Sequence, residues 1–134
     1  ALRSRRREAL RLMVDSCAIT RRRIGEDGLP VQDASDLPVY GFFVCSVDLE
    51  DELIRALGAE RAREVLTEAG LGGKLEAMQR QDAWVGRPLA EQLHRFCGAA
   101  SGRKERAAGI LAGALAADEL PEPLAMLLDR LRWA

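Results

Sequence analysis

Apolar positions recur at helical spacing from residue 49 onward. Leu49, Leu53 and Leu57 lie four residues apart, and Gly58 follows where a glycine commonly ends a helix. Gly72-Gly73 predicts a break before a short helical stretch over 75–81. Comparable spacing, bounded by Gly, Ser or Pro, returns in four further stretches: 62–69, 89–96, 101–115 and 121–131. The pattern predicts about five helices in this part of the chain.

The residues before these helices have a different pattern. Residues 1–23 have the spacing of a short basic helix, and 24–38 are rich in Gly, Pro and Asp, as in a turn-rich connector. The aromatic and β-branched run at 42–47 favours a buried strand, so one or two short strands are expected near 39–47. The predicted fold class is α+β, predominantly helical.

We divide the 134-residue chain into two predicted regions, 1–40 and 41–134. No apolar run approaches the ~18–20 residues that a membrane helix needs, so no membrane partner is expected. Three widely spaced cysteines and a single histidine do not form a zinc motif. They indicate reduced thiols and a cytoplasmic location.

The net charge of −1 conceals two segments of opposite sign. Residues 1–23 carry eight arginines against two acids, a local charge of +6, whereas 24–54 carry eight acids and no Lys or Arg, a local charge of −8. Four of these acids form a cluster in five positions: Asp48, Glu50, Asp51 and Glu52. Because Mg²⁺ and Mn²⁺ take carboxylate oxygen ligands, the cluster is a candidate hard-cation site.

The alternative for the acidic cluster is a helix start, where acids gain ~0.3–1 kcal/mol each from the helix dipole and Asp48 could be the N-cap. If Asp48-Leu49-Glu50 is extended, its two carboxylates point to one side and can share a metal. If the helix already includes Asp48, Glu50 turns away, while Asp51 and Glu52 lie near Asp48. Residue types alone leave both interpretations open.

The segment Gly41-Phe-Phe-Val-Cys-Ser-Val-Asp-Leu-Glu-Asp-Glu-Leu-Ile-Arg-Ala-Leu57 resembles part of TOPRIM-containing, OLD-family ATP-dependent endonucleases, especially short actinobacterial members without an ATPase domain. The resemblance covers about residues 41–131 and continues through three more motifs: Gln79-Arg-Gln-Asp-Ala-Trp-Val-Gly-Arg-Pro88, Glu91-Gln-Leu-His-Arg-Phe96 and Ser101-Gly-Arg-Lys104. It implies a TOPRIM fold that holds Mg²⁺ or Mn²⁺ and cleaves DNA. Asp48 and Glu50 match the family's downstream Asp-x-Glu pair, which makes them expected metal ligands and catalytic residues. Glu52 and Asp51 would assist, and Lys104 matches a basic residue that faces the scissile phosphate.

The match to this family is incomplete. Its upstream Glu and separate Asp-x-Asp are missing, and no Asp-x-Asp occurs in the chain. Because only about half of a two-metal site is encoded, we expect weak metal binding. The chain as it stands would cut nothing unless another chain, such as an ATPase or a second TOPRIM-bearing chain, supplies the missing acids. A homo-oligomer is a separate expectation.

Basic residues form a second candidate interface. Arg103, Lys104 and Arg106 fall in the first turn of a predicted helix, where basic side chains oppose the dipole but backbone N–H groups attract phosphate. Arg87 either contacts DNA or packs against Trp84. These four basic residues are the predicted DNA-binding set, and the alternative is a solvated helix face.

Two other functions compete with a nuclease. Leu12-Met-Val-Asp-Ser-Cys-Ala-Ile-Thr-Arg-Arg22 resembles the start of phage head–tail connector proteins, which implies a phage-associated structural role for residues 1–40. A non-catalytic helical interaction module would dock a partner chain and use the acids only to cap a helix. The nuclease interpretation requires Lys104 to approach Asp48 and Glu50 in space.

Overall fold

The computed structural model describes residues 34–100 and 102–132, and its regular structure there is helical. Six α-helices occur in this part of the chain: α1 (Leu49–Leu57), α2 (Ala59–Leu66), α3 (Gly72–Gln79), α4 (Leu89–Gly98), α5 (Arg103–Gly113) and α6 (Glu122–Arg132). Two 3-10 helices (Ala34–Tyr40 and Ala117–Glu119) and a π-helical turn (Thr67–Leu71) complete the elements. The predicted helix over 1–23 lies outside the described residues.

The chain divides into two compact units. The described residues of the first unit are 34–49 and 121–132. Within it, the 3-10 helix ends at a turn in which the Gly41 N–H donates to the Pro38 carbonyl at 3.0 Å. Glu122 begins α6, and its Leu124 and Leu127 are buried. The predicted opening of this helix beside Pro121 is confirmed.

The strand predicted near 39–47 is not seen among the described residues. Residues 42–45 have no regular structure and 46–47 form a bend, although Phe43 and Cys45 are buried as a strand's inward side chains would be. A strand forms only when a neighbour supplies ladder hydrogen bonds, and the residues that the structure describes contain no such ladder. Apolar content therefore predicted the burial of Phe43 and Cys45 correctly, and the pairing of this segment stays a prediction.

The second unit, Glu50–Leu120, has a leucine-rich core. Helix α2 packs against both α4 and α5, and α4 also contacts α3 and α5. The side chains that are almost completely buried in this unit are mostly apolar: Leu53, Leu66, Leu75, Leu93, Phe96 and Leu111. Helices α1, α2 and α4 therefore each have one apolar stripe, as the spacing of leucines predicted.

The chain changes direction at Gly70, the glycine that follows the apolar pattern over 62–69, and Gly72-Gly73 does not form the predicted break. Gly70 has φ 88°, a left-handed conformation that glycine adopts without steric cost, and it lies inside the π-helical turn. Gly72 starts α3 instead, and a Cβ there would lie 2.8 Å from Thr67 Cγ2. Gly72 is therefore explained by close packing on the preceding turn.

A linking turn, residues 80–88, joins α3 to α4. The N–H groups of Trp84 and Val85 both donate to the Gln81 carbonyl, at 2.8 and 2.9 Å. From α4, the buried Gln92 donates through Nε2 to the Trp84 carbonyl at 2.8 Å, and its Oε1 accepts a hydrogen bond from Gln79 Nε2 at 3.0 Å. One buried amide thus ties the turn to both helices. None of the helices described in residues 34–100 and 102–132 is both long enough and apolar enough to cross a membrane.

Candidate functional site

The four clustered acids differ in exposure because α1 begins among them. Asp48 directly precedes α1, belongs to the first unit and is half-buried. Asp51 is also half-buried, whereas only 2% of Glu50 and 8% of Glu52 is exposed. The helix starts at Leu49, so the structure matches neither of the two open geometries: Leu49 and Glu50 are helical, not extended, and Asp48 lies outside the helix. Glu50, Asp51 and Glu52 occupy its first turn, where the dipole favours negative charge.

Asp51 and Glu52 both form ion pairs with Arg55, one turn further along α1. Arg55 Nε donates to Asp51 Oδ2 at 2.8 Å, and Arg55 Nη2 lies 3.1 Å from Glu52 Oε2. The hydrogen bond that Arg55 donates to Asp51 and the charge of Glu52 raise the pKa of Arg55 above its ordinary value. The assisting metal-ligand role expected for these two acids therefore has an arginine as its competitor. Their spacing of three and four residues from Arg55 was a readable signal of this pairing.

Glu50 contacts a different cation, Lys104. The Lys104 Nζ atom lies 3.7 Å from Glu50 Oε2, which joins the first turns of α1 and α5 across the second unit. Lys104 keeps 40% of its side chain exposed, whereas the Glu50 side chain is 2% exposed. This separation exceeds the ~2.7–3.2 Å of a hydrogen bond, so charge attraction is the main term. Two of the three residues expected to act in catalysis are thus brought together.

The other predicted DNA-binding residues make contacts within the protein. Arg103 lies 4.3 Å above the ring of the buried Phe96, and the exposed Arg106 donates to the Ala69 carbonyl at 3.1 Å. With Lys104 they share the first turn of α5, whose N-cap is Gly102 at φ 77°. The left-handed conformation favours a glycine at this position, and Ser101, the cap that the sequence also allows, lies outside the described residues.

Arg87 lies on the linking turn. Its guanidinium is 5.3 Å from the Trp84 ring, its Nε donates to the Ala83 carbonyl at 3.0 Å, and it lies 3.8 Å from Glu91. These contacts satisfy the packing interpretation of Arg87. They leave its side chain 57% exposed, so contact with an external phosphate is also sterically open.

The metal expected from the resemblance can be tested against the side chains present. The carboxylates of Asp48 and Glu50 are hard oxygen donors, which fits Mg²⁺ or Mn²⁺ in chemistry. They do not fit in number: within residues 34–100 and 102–132, no group of three or more His, Cys, Asp or Glu side chains could hold a metal ion. These two carboxylates alone are therefore too few to hold the ion.

A cavity of about 450 Å³ lies along α2 and α3. Its lining mixes apolar and charged groups: Arg63, Glu64, Thr67, Glu68, Gly72, Leu75, Glu76 and Gln79. Arg63 is paired with Glu60, and Glu76 lies 3.9 Å from Arg80. The lining contains neither Glu50 nor Lys104, so this cavity is separate from that pair.

Comparison with known proteins found no match to a family model, a curated protein or a solved structure. The TOPRIM resemblance accordingly stays a prediction.

Proposed function

We propose that this chain is a partial TOPRIM-like, metal-dependent DNA nuclease module of the cytoplasm. One observation carries the proposal: Lys104 Nζ lies 3.7 Å from Glu50 Oε2, although the two residues belong to separate motifs of the chain. The resemblance assigned both residues to one catalytic site before any distance was known. Packing needs no charged pair at such a position, because two apolar side chains would fill the same space.

Each residue has a defined task in this proposal. Glu50 supplies a carboxylate ligand, and Asp48, two residues earlier in the chain, remains the second predicted ligand. A bound metal would supply Lewis-acid activation of water and phosphate. Lys104 stabilises negative charge on the phosphate, and the free N–H groups at the start of α5 attract the same anion. Arg103 and Arg106 flank that position.

The proposal requires a partner, because the chain lacks the upstream Glu and the Asp-x-Asp. An ATPase subunit or a second TOPRIM-bearing chain would contribute these acids, and phosphodiester hydrolysis would follow only in that assembly. The strand predicted over 42–47 belongs to the same proposal, since a sheet edge from the partner would supply the missing ladder.

Calorimetric titration of Mn²⁺ into the chain tests the metal-ligand role. We expect weak binding that disappears in a double variant, Asp48→Asn with Glu50→Gln. The matched control is Glu64→Gln with Glu68→Gln, which removes two exposed acids and the same total charge. Equal losses in both double variants would show non-specific charge attraction, and no binding to the wild type at millimolar Mn²⁺ would remove the metal from the proposal.

A nicking assay tests the chemistry. Supercoiled plasmid with Mn²⁺ is incubated with the chain alone and with candidate partner chains that carry the missing acids. Cleavage only in the mixture, lost in Glu50→Gln and in Lys104→Met, supports a shared site. Cleavage that survives both substitutions would assign the activity to the partner alone.

A specific observation favours a second function, a non-catalytic interaction module. Asp51 and Glu52 share an ion pair with Arg55, and Glu50 lies near Lys104. Each acid of the first turn therefore has a cation within the protein. Under this alternative the acids start α1 and hold it to α5, and the Mn²⁺ titration shows no specific site. The phage-connector alternative rests mainly on residues that lie outside the described part.

A further inference from the structure

We propose that the groove between α2 and α3 binds two arginine side chains that a partner protein presents one helical turn apart. The groove contains the cavity of about 450 Å³ described above, a volume within the ~300–1,000 Å³ of typical ligand sites. Neither Glu50 nor Lys104 lines it, so the proposal is independent of the nuclease function.

The groove has a buried base and an exposed rim. Among its lining residues Gly72 and Leu75 are buried, whereas Glu64, Glu68 and Glu76 are exposed. Glu64 belongs to α2, Glu68 to the π-helical turn that follows it, and Glu76 to α3, so both sides of the groove carry carboxylates. Because the rim is open to water, the groove can receive side chains from another protein without a rearrangement of its helices.

The charges of the lining favour a cationic occupant. Three carboxylates and one guanidinium line the cavity, and this guanidinium, on Arg63, already pairs with another glutamate of α2. Glu76 lies 3.9 Å from Arg80 in an exposed pair, which contributes little. Among the described residues, the Glu64 and Glu68 carboxylates form no ion pair. Their negative charge is therefore available to an external cation.

The hydrogen-bonding groups of the lining favour a cation with several donors. Gln79 donates through Nε2 to Gln92 at 3.0 Å, and Thr67 Oγ1 donates to the Arg63 carbonyl at 2.8 Å. The polar atoms that remain are mostly acceptors, namely the Gln79 carbonyl oxygen, the Thr67 hydroxyl oxygen and the carboxylates. An arginine guanidinium carries five N–H donors in a planar fork, whereas a lysine ammonium acts as a point charge. The lining therefore suits arginine better than lysine.

The spacing of two carboxylates indicates how the partner presents its arginines. Glu64 and Glu68 are four residues apart in continuous helical backbone, so their Cβ atoms lie ~5–6 Å apart on one side of the helix. A partner helix with arginines at positions i and i+4 has the same spacing and can pair each guanidinium with one carboxylate. The occupant is therefore a basic helix of a partner protein, whose charge complements that of the groove.

Fluorescence anisotropy with labelled, alanine-rich helical peptides tests the site on the full chain, in EDTA to remove metal ions. The first peptide has arginines at i and i+4, the second has lysines there, and the third has arginines at i and i+2, on different sides of the helix. The first should bind most tightly. Glu64→Gln with Glu68→Gln should raise its dissociation constant about tenfold or more.

The matched control is Asp82→Asn with Asp118→Asn, which removes two other exposed acids and the same total charge. Circular dichroism establishes that both double variants are folded. Equal weakening in both would overturn the proposal, because general electrostatics would then be the cause. Equal affinities for the arginine and lysine peptides, or for the two arginine spacings, would also overturn it, as would no binding of the first peptide at millimolar concentration.

Two further measurements locate the contact and identify its source. The side-chain amide signals of Gln79 should move in NMR spectra as the first peptide is added, and unchanged signals at saturation would place the peptide elsewhere. Sedimentation of the full chain tests a second copy as the occupant. Self-association that is lost in Glu64→Gln with Glu68→Gln would give the groove to a second copy and overturn its assignment to a different protein.

Discussion

Removing Lys104 should destabilise the metal-free protein more than removing both members of its ion pair. At 3.7 Å and an effective dielectric constant near 20, Coulomb's law gives ~4.5 kcal/mol of attraction between the two charges. Because Lys104 is 40% exposed, solvent screening lowers this value, and we expect ~2 kcal/mol of coupling. Lys104→Met leaves the buried carboxylate without that attraction, so its free energy of unfolding should fall by ~2 kcal/mol.

The double variant, Glu50→Gln with Lys104→Met, should recover most of that loss. It removes both charges and retains a side chain of the same shape that can still make hydrogen bonds, so its stability should lie within ~1 kcal/mol of the wild type. Urea unfolding in the presence of EDTA measures the free energy of unfolding for the four proteins of this double-mutant cycle: the wild type, the two single variants and the double variant. Lys74→Met reports the effect of losing an exposed lysine charge. A Lys104→Met variant as stable as the wild type, or a double variant as unstable as Lys104→Met, would refute this account.

Three further predictions concern the second unit. Gly70→Ala should destabilise this unit by ~1 kcal/mol or more, because Gly70 has φ 88°. Gly73→Ala in α3 should stabilise the unit by ~0.5–1 kcal/mol, because alanine favours the helix and its Cβ has room. The two variants should shift the midpoint of urea unfolding in opposite directions. Gln92→Leu should cost ~2 kcal/mol through two lost hydrogen bonds and speed amide exchange in the linking turn, and unchanged exchange there would contradict its anchoring role. Hydrogen bonds from the Ala116 backbone and from Arg61 lower the pKa of Glu119 below its ordinary 4.5. The ionised Glu119 therefore stabilises the fold above pH 4.5, and this stabilisation is lost as the pH falls through the lowered pKa. Arg61→Ala should raise the pKa of Glu119 in a carboxyl-carbon NMR titration.

The helices were predictable because glycine ends them in recognisable ways. Leu49, Leu53 and Leu57 gave the apolar stripe of α1, and Gly58 ends it at φ 82°. Gly70 likewise follows the apolar pattern that it ends, whereas the break predicted at Gly72-Gly73 was wrong because a helix can begin with glycines. Gly70 has the left-handed conformation. Gly72 leaves space for the Thr67 side chain, and this contact is not visible in the sequence.

The candidate site was predictable only in part. Helical spacing gives the pairing of Arg55 with Asp51 and Glu52, yet the sequence analysis overlooked it in favour of a shared metal. No local spacing gives the contact of Glu50 with Lys104, because it depends on how α1 and α5 pack. The role of Gln92 could not be predicted, because in the sequence a glutamine between Glu91 and Leu93 looks like any exposed polar residue of a helix.

The position of Glu50 on α1 argues for function over packing. Helical geometry places residues 50, 54 and 57 on one side of α1, and Ile54 and Leu57 are both buried apolar residues. A helix selected for stability alone would carry an apolar residue at position 50, because replacing a buried ion pair by apolar groups is often neutral or stabilising. The dipole does not require the burial, since Asp51 gains the same advantage at the helix start with more of its side chain in water. Neither packing nor the helix dipole therefore explains why Glu50 is buried, and its contact with Lys104 is the feature of α1 that the proposed function addresses.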